Sequence, residues 1–405
     1  MSRARVSITR LGGYDDIHAV EEALRRGLEP FGGMGRFVKP SQRVLLKVNL
    51  VAPSRPELAV TTHPAILRAA IRLVRECGGI CFVGDGPGVG STRVAAEGSG
   101  LMPVIEEEGA QLLAFEETAE FANDDNRVMK RIPLVRQLGE IDVLITLPKL
   151  KTHCQMAFTC ALKNQYGLVP GAAKGQYHFR FQNRDVLSDF MIDINRTAHP
   201  ALAIVDGVIG MEGPGPSGGT PRKIGAVVVG EDLAAVDTVC LSMIGLTVDD
   251  VPVSLAARRA GFGETALENI EVVGESLDAM RIADYKLVRS PLNIMRILPL
   301  PRVVLRWIRR QVAPAPRIDR SRCIRCRRCE KGCPVKPPAI RPLEEGKQVN
   351  DAACIRCYCC HEFCPVKAIE LRRSLLMRIV NVDAICGAAS RMLGVIASWM
   401  RGTRR

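Results

Sequence analysis

The sequence predicts an α/β protein: a large three-layer α/β domain, as one unit or two lobes, followed by a small C-terminal α+β unit built around cysteines. Three observations carry this. Short apolar runs ending in glycine-rich or polar turns recur between residues 43 and 246, a helical repeat separates the first two of them, and nine of the 15 cysteines fall within 323–364, eight of them in two repeated motifs. At 405 residues the chain is too long for one ordinary core. With 47% hydrophobic but only 4% aromatic residues, it has the balance of a soluble α/β chain rather than a membrane-spanning or disordered one. The expected divisions are 1–285 for the α/β domain, 286–316 for a Pro- and Arg-rich linker, 317–372 for the cysteine unit and 373–405 for a basic, apolar tail.

The elements follow in order. "RVLLKVNL" at 43–50 reads as a buried strand, and "TTHPAILRAAIRLVRECGG" from Thr61 reads as a helix. Thr61 or Thr62 is placed to cap it, Ile66, Ala70, Ile71 and Val74 recur at helical spacing, and Gly78-Gly79 ends it. "ICFVGDGPG" follows as a second strand, giving a βαβ unit and hence a parallel sheet. "IDVLITLPKLKTH" at 141–153, "ALAIVDGVIGMEGPG" at 201–215 and "GAVVVGEDLAAVDTVCLSMIGL" at 225–246 continue the pattern. The carboxyl edge of such a sheet is where a ligand crevice is expected.

The cysteine unit is spelled twice. Cys323, Cys326, Cys329 and Cys333-Pro334 form C-x2-C-x2-C-x3-C-P, and Cys354, Cys357, Cys360 and Cys364-Pro365 repeat it without a change in spacing. This is the bacterial-type ferredoxin signature, in which the fourth cysteine of each run ligates the other run's cluster. The expected sets are therefore crossed: Cys323, Cys326, Cys329 and Cys364 on one 4Fe-4S cluster, and Cys354, Cys357, Cys360 and Cys333 on the second. Structural zinc also uses C-x2-C pairs, but not two complete four-cysteine phrases with both prolines. Cys359 is extra and reads as a spectator. Arg322, Arg325, Arg327, Arg328 and Arg356 are interleaved with the ligands, where they either raise the cluster potential or form a basic face for an acidic donor.

The N-terminus has no export segment, so the cytoplasm is expected, with metal-ligating rather than disulfide-bonded cysteines. The formal charge of +13 favours acidic partners without choosing among them. In "RVVLRWIRRQ" at 302–311, arginines fall near one helical face, as in a packed helix or a peripheral contact with the inner membrane face. Charges interrupt the tail from Leu375 to Met400, which reads as a packed helix or peripheral anchor rather than a membrane span.

Several phrases resemble a known family. "KVNL", "TTHP", "GDGPG", "LPKLKTHCQMAFTCALKNQYGLVPG" and "IVDGVIGMEGPGPSGG" are similar to the domain of unknown function 362 family, often fused to a two-cluster ferredoxin module. The resemblance covers roughly residues 40 to 250, with the ferredoxin phrase at 317–372. It implies an architecture and no substrate, so the chemistry is read from residues.

Lys149, Lys151 and His153 alternate along a predicted strand end and are expected to converge on one anionic ligand, with Lys163 and Asn164 on the next helix. Asp85 in "GDGPGVGS", and Asp206 and Glu212 in "VDGVIGMEGPGPSGG", follow apolar strands. There an acid binds metal, orients a lysine or moves a proton, unless it only shapes an Asp-Gly turn. His178 follows a glycine stretch and is expected in a mobile active-site loop. His63, before Pro64 at a helix start, reads as a capping or packing residue, and Cys154 and Cys160 as inert buried thiols. Neither a Walker loop nor a dinucleotide fingerprint is present, which argues against ATP and NAD.

The leading functional reading is an iron-sulfur oxidoreductase. Its two 4Fe-4S clusters relay single electrons to an anionic small molecule or cofactor in the α/β domain, with Lys149, Lys151, Lys163, Asn164 and Glu212 binding and Asp85, His153, His178 and Asp206 handling protons. The alternative is a non-catalytic electron-transfer or assembly partner that docks another redox protein, an acidic one if the arginines are its contact. A further metal or a flavin is left open, with no flavin motif to support it. Specific nucleic-acid binding has only charge in its favour.

Overall fold

The computed structural model describes residues 3–88, 90–288, 313–342 and 348–372. Most of the expected linker, its basic stretch, and the tail lie outside the described residues.

The α/β domain is built on one mixed ten-stranded sheet. In chain order its strands are β1 (Ala4–Arg10), β2 (Arg43–Lys47), β3 (Ile80–Gly84) and β4 (Gln111–Leu112). A separate hairpin of β5 (Thr118–Ala122) and β6 (Arg131–Val135) comes next. The sheet resumes with β7 (Val143–Thr146), β8 (Lys149–His153), β9 (Ala157–Thr159), β10 (Leu202–Glu212), β11 (Thr220–Gly230) and β12 (Ile270–Gly274). The order across the sheet is β12-β1-β11-β10-β7-β2-β3-β4, with β8 against β10 and β9 against β8.

The expected parallel pairing holds from β10 through β7, β2 and β3 to β4. It fails at β11, which runs antiparallel to both β1 and β10. The physical reason is the connection: the run after Glu212 is a glycine- and proline-rich turn too short for a crossover helix, so β10 and β11 form a hairpin.

Two apolar layers cover the sheet. Alternation sorts β2, with Val44 and Leu46 entering one core and Leu45 the other. Helices Ile17–Leu28 and Pro64–Glu76 pack on the first face, and Arg184–Ala198 and Leu233–Met243 on the second. The Pro64 helix starts later than its sequence suggests. His63 is its cap, accepting from the Ala65 N–H through Nδ1, because Pro64 suits the first turn; Thr62 instead donates its hydroxyl to the Leu147 carbonyl.

After β2 the chain moves outward to β3 and β4, then returns to lay β7 on the other side of β2. The carboxyl ends of β2 and β7 are thus a topological switch point, where neighbouring connections diverge and leave a crevice.

The cysteine unit is a small α+β fold. Antiparallel β13 (Ala315–Ile318) and β14 (Ile369–Arg372) close it, and its short helices are Arg328–Lys331 and Cys359–Glu362. It sits against the α/β domain through the β10–β11 turn. Ser217 donates to the Glu362 carbonyl, and His361 lies between the carbonyl oxygens of Pro214 and Ile369 at 3.1 Å and 2.6 Å. Gly88 and Gly218 have no room for a Cβ, since the rings of Phe363 and His361 occupy that space. The glycines of the two turns therefore allow a neighbouring domain to approach closely.

Candidate functional site

A cleft of about 670 Å³ opens at the switch point. The α/β domain supplies Asn49, Asp85, Lys151, Lys163, Asn164, Tyr166, Lys174 and His178, and the cysteine unit supplies Cys359, Glu362 and Phe363. The site is thus made by both domains.

Asn49, just past β2, holds the floor together. Its Oδ1 accepts from Lys151 Nζ at 2.5 Å and its Nδ2 donates to Asn164 Oδ1 at 3.0 Å, while Asn164 Nδ2 donates to Thr146 Oγ1 at 2.8 Å. Lys151 Nζ also donates to the Val60 carbonyl at 2.7 Å. Both Lys151 partners are neutral, and burial pushes its ammonium well below the usual lysine range, with Lys163 and Lys149 adding repulsion.

Lys163 lines the cleft from the helix Ala161–Asn164, and its ammonium has no hydrogen bond or ion pair among the described residues. Burial lowers its pKa, opposed by Glu362. Lys174 donates to the Gly86 carbonyl, and burial pushes it down to about 8. Asp85 borders the cleft but is already engaged: Oδ1 accepts from buried Lys47 at 2.8 Å and Oδ2 from the Leu50 N–H at 2.7 Å.

His178 is not in a loop. It lies on the helix Gly171–Arg180, buried, with its ring edge-on to Tyr166, because the glycine stretch starts a helix rather than a flexible segment. Its Nδ1 is buried without a hydrogen-bond partner among the described residues. Burial pushes this imidazole down to about 4, so it is neutral near pH 7. His153 is also neutral, pushed down to about 4 by burial. Its Nδ1 accepts from the Gln155 and Met156 N–H groups, which puts the ring proton on Nε2, 3.2 Å from Glu362 Oε1. Burial would raise the Glu362 pKa, but His153, Lys163 and His178 outweigh it and hold the carboxylate at about 2.

The expected convergence of Lys149, Lys151 and His153 splits. Lys149 is the register partner of Asp206 on β10, so it is drawn into a buried pair at 2.8 Å, away from the cleft. Tyr14 donates to Asp206 Oδ1 at 2.6 Å, Lys149 donates to the Tyr14 hydroxyl at 2.9 Å, and the His63 N–H fills Asp206 Oδ2. Neither Lys149 nor Asp206 lines the cleft. Glu212 is also elsewhere, accepting from the Lys286 N–H and lying 3.4 Å from its ammonium. Lys151, Lys163, Asn164, Asp85 and His178 do meet. Sequence reasoning missed Lys47, the buried partner of Asp85, and the cleft-lining Asn49, Lys174, Glu362 and Phe363; Cys359, which lines neither four-thiol cavity, forms part of the cleft wall. "KVNL" held the first two in plain sight, as polar residues at the end of a buried strand.

In the cysteine unit, Cys323, Cys326, Cys329 and Cys364 line one cavity of about 320 Å³, and Cys333, Cys354, Cys357 and Cys360 line another of about 350 Å³. The Ala368 N–H donates to Cys364 Sγ at 3.1 Å and the Ala339 N–H to Cys333 Sγ at 3.4 Å, as suits sulfurs that carry negative charge. These all-thiol sets with N–H donors fit iron-sulfur clusters.

Residues 44–242 match the domain of unknown function 362, and residues 315–365 match a 4Fe-4S dicluster domain. Over 264 residues the chain is 35% identical to the thylakoid-associated protein sll1697 of Synechocystis, spanning 65% of this chain and 81% of that relative. The chain belongs to the DUF362 family. Its DUF362 domain precedes an iron-sulfur module of the ferredoxin type, which serves electron transfer. The structure of lactate racemase apoprotein from Thermoanaerobacterium thermosaccharolyticum is similar at 14% identity and a TM-score of 0.38. That likeness spans 58% of this chain and 56% of that one, and is too loose to bear on the DUF362 chemistry. No helix among the described residues is long and apolar enough to cross a membrane.

Proposed function

We propose that this protein passes single electrons from two 4Fe-4S clusters, held by the crossed cysteine sets, to a small anion bound in the cleft between the two domains. The observation that carries this is the shared wall: Cys359, Glu362 and Phe363 come from the run that holds cluster ligands, and they face Lys151, Lys163 and Lys174 across one cavity. Clusters supply one-electron reducing equivalents when bound; the chain's own residues do the rest. Lys163 and Lys174 present cations that attract an anion, and Lys151 with Asn49 and Asn164 shapes the floor. Neutral His178 is placed to hydrogen-bond the ligand through Nδ1 and to exchange a proton there as charge changes. Asp85 positions Lys47 and the Leu50 backbone rather than reacting, and Lys149, Asp206 and Glu212 have structural roles.

A soluble, cytoplasmic-side location with peripheral membrane contact is in keeping with the relative's description as thylakoid-associated, and belongs to the same proposal.

The test is anaerobic purification of the full chain, with iron, sulfide, zinc and bound small molecules measured, followed by electron paramagnetic resonance after reduction. About eight iron and eight sulfide per chain, coupled reduced-cluster signals and a copurifying anion lost in Lys163→Met are expected. Zinc without sulfide overturns the relay. A loaded, reducible protein that retains no anion and responds to none overturns the cleft reading, and favours a docking protein without turnover.

A further inference from the structure

The two cysteine phrases share one backbone and face opposite ways. Set 31 residues apart, Arg327, Arg328, Glu330, Lys331 and Gly332 of the first take the places of Tyr358, Cys359, His361, Glu362 and Phe363 of the second. Arg325 and Arg327 hold φ of 56° and 60°, and Arg356 and Tyr358 hold 57° and 63°, so the turns coincide. The second copy is turned inward, with Cys359 2% exposed and Glu362 and Phe363 in the cleft wall. The first is turned outward: Ile324 is 60% exposed, and Cys326 is exposed beside it.

Charge follows the same division. Arg322 is tied to Asp319 and Glu370, and Arg327 to Glu330. Arg325 and Arg328 have no ion-pair partner among the described residues, and they flank Cys326 on either side in sequence. An apolar side chain and two guanidiniums without an ion pair among the described residues, beside a surface cysteine, make a small patch with a dry centre and a cationic rim, the anatomy of a transient protein contact.

We propose that the patch of Ile324, Arg325, Cys326 and Arg328 docks an acidic one-electron carrier protein, making the Cys323 copy the intake and the Cys354 copy the delivery side of a one-way relay. The proposal rests on the relay reading above but not on which anion fills the cleft. One electron leaves the carrier's reduced centre, which is oxidised, and reduces the iron-sulfur group beside Cys326; no atom or proton crosses the interface. The carrier is acidic because its contact must neutralise Arg325 and Arg328, and electron transfer requires its redox centre to come close to the exposed cysteine.

The experiment uses the full, cluster-loaded chain and an acidic plant-type ferredoxin as probe. Its binding is measured by titration calorimetry and its oxidation by stopped-flow at several ionic strengths. Affinity and rate are expected to fall with salt, and to fall on the order of tenfold in Arg325→Glu/Arg328→Glu. Arg131→Glu/Arg281→Glu, which makes the same charge change on the α/β domain, is expected to leave both nearly unchanged. Iron, sulfide and cleft-anion retention, measured in each variant, separate loss of docking from loss of the module or the cleft. Salt-independent transfer in the unmutated chain overturns the proposal, as does an equal effect from both double variants. It is also overturned if Arg325→Glu/Arg328→Glu abolishes binding to phosphatidylglycerol vesicles while ferredoxin binding persists.

Discussion

Lys149 and Lys151 stand two residues apart on one strand and serve opposite ends. Lys149 has a carboxylate, Asp206, whose oxygens are filled by Tyr14, the His63 N–H and the lysine itself. Every charge is answered within the chain. Lys151 has only neutral acceptors, the Lys163 ammonium has no ion pair among the described residues, and Lys174 donates to the Gly86 carbonyl, while Glu362 lines the same cleft. Asp85 does not redress the balance, since it belongs to Lys47. Buried cations in excess of buried anions raise the energy of the empty site, and a bound anion lowers it. The comparison teaches that partner count, rather than burial, sets Lys151 and Lys163 apart from Lys149.

The largest test of that division is at the closed cluster. Asp206→Ala leaves Lys149 buried and unanswered, and is expected to cost about 3–5 kcal/mol in denaturant unfolding. Lys149→Met/Asp206→Leu removes both charges and is expected to recover much of the loss. A cost below about 1 kcal/mol in the single variant would place the pair outside the fold's support.

The open group is expected to respond the other way. Lys163→Met removes a cation without a partner, so stability stays within about 1 kcal/mol or rises. Affinity for the cleft anion falls roughly ten- to a hundredfold, the worth of one charge-assisted hydrogen bond. Loss of stability with unchanged affinity would make Lys163 a second Lys149 and remove the distinction.

The sequence could carry part of this and not the rest. The ferredoxin signature says which cysteines belong together, because a cluster takes three closely spaced thiols from one run and the fourth from the other, and the two four-thiol cavities follow that grouping. Strand ends were legible too, since apolar runs stop where the chain meets polar chemistry. The fate of Lys149 was not, because it depends on the β8–β10 register, a pairing across 57 residues that alternation cannot reveal. Glu362 and Phe363 were hidden for another reason: their role exists only once the second domain is docked. Laying one cysteine phrase over the other offers a signal, because Lys331 and Gly332 become Glu362 and Phe363, as befits a surface exchanging water for a neighbour.

The finest test is pH, where Lys174 gives two responses of opposite sign. Burial holds its pKa in the folded chain at about 8, below the value of an unfolded lysine. Between those two pKa values the unfolded chain binds more protons than the folded one, so this group makes stability rise as pH climbs above about 8. Anion affinity depends on the charged form and falls over the same rise, by at most about tenfold per pH unit for one proton. Opposite slopes in unfolding and anion titrations are therefore expected, and Lys174→Met should flatten both while leaving the closed Lys149 cluster unchanged. If affinity stays level through pH 8 in the unmutated chain, Lys174 does not meet the anion through its charge, and the open group reduces to Lys151 and Lys163.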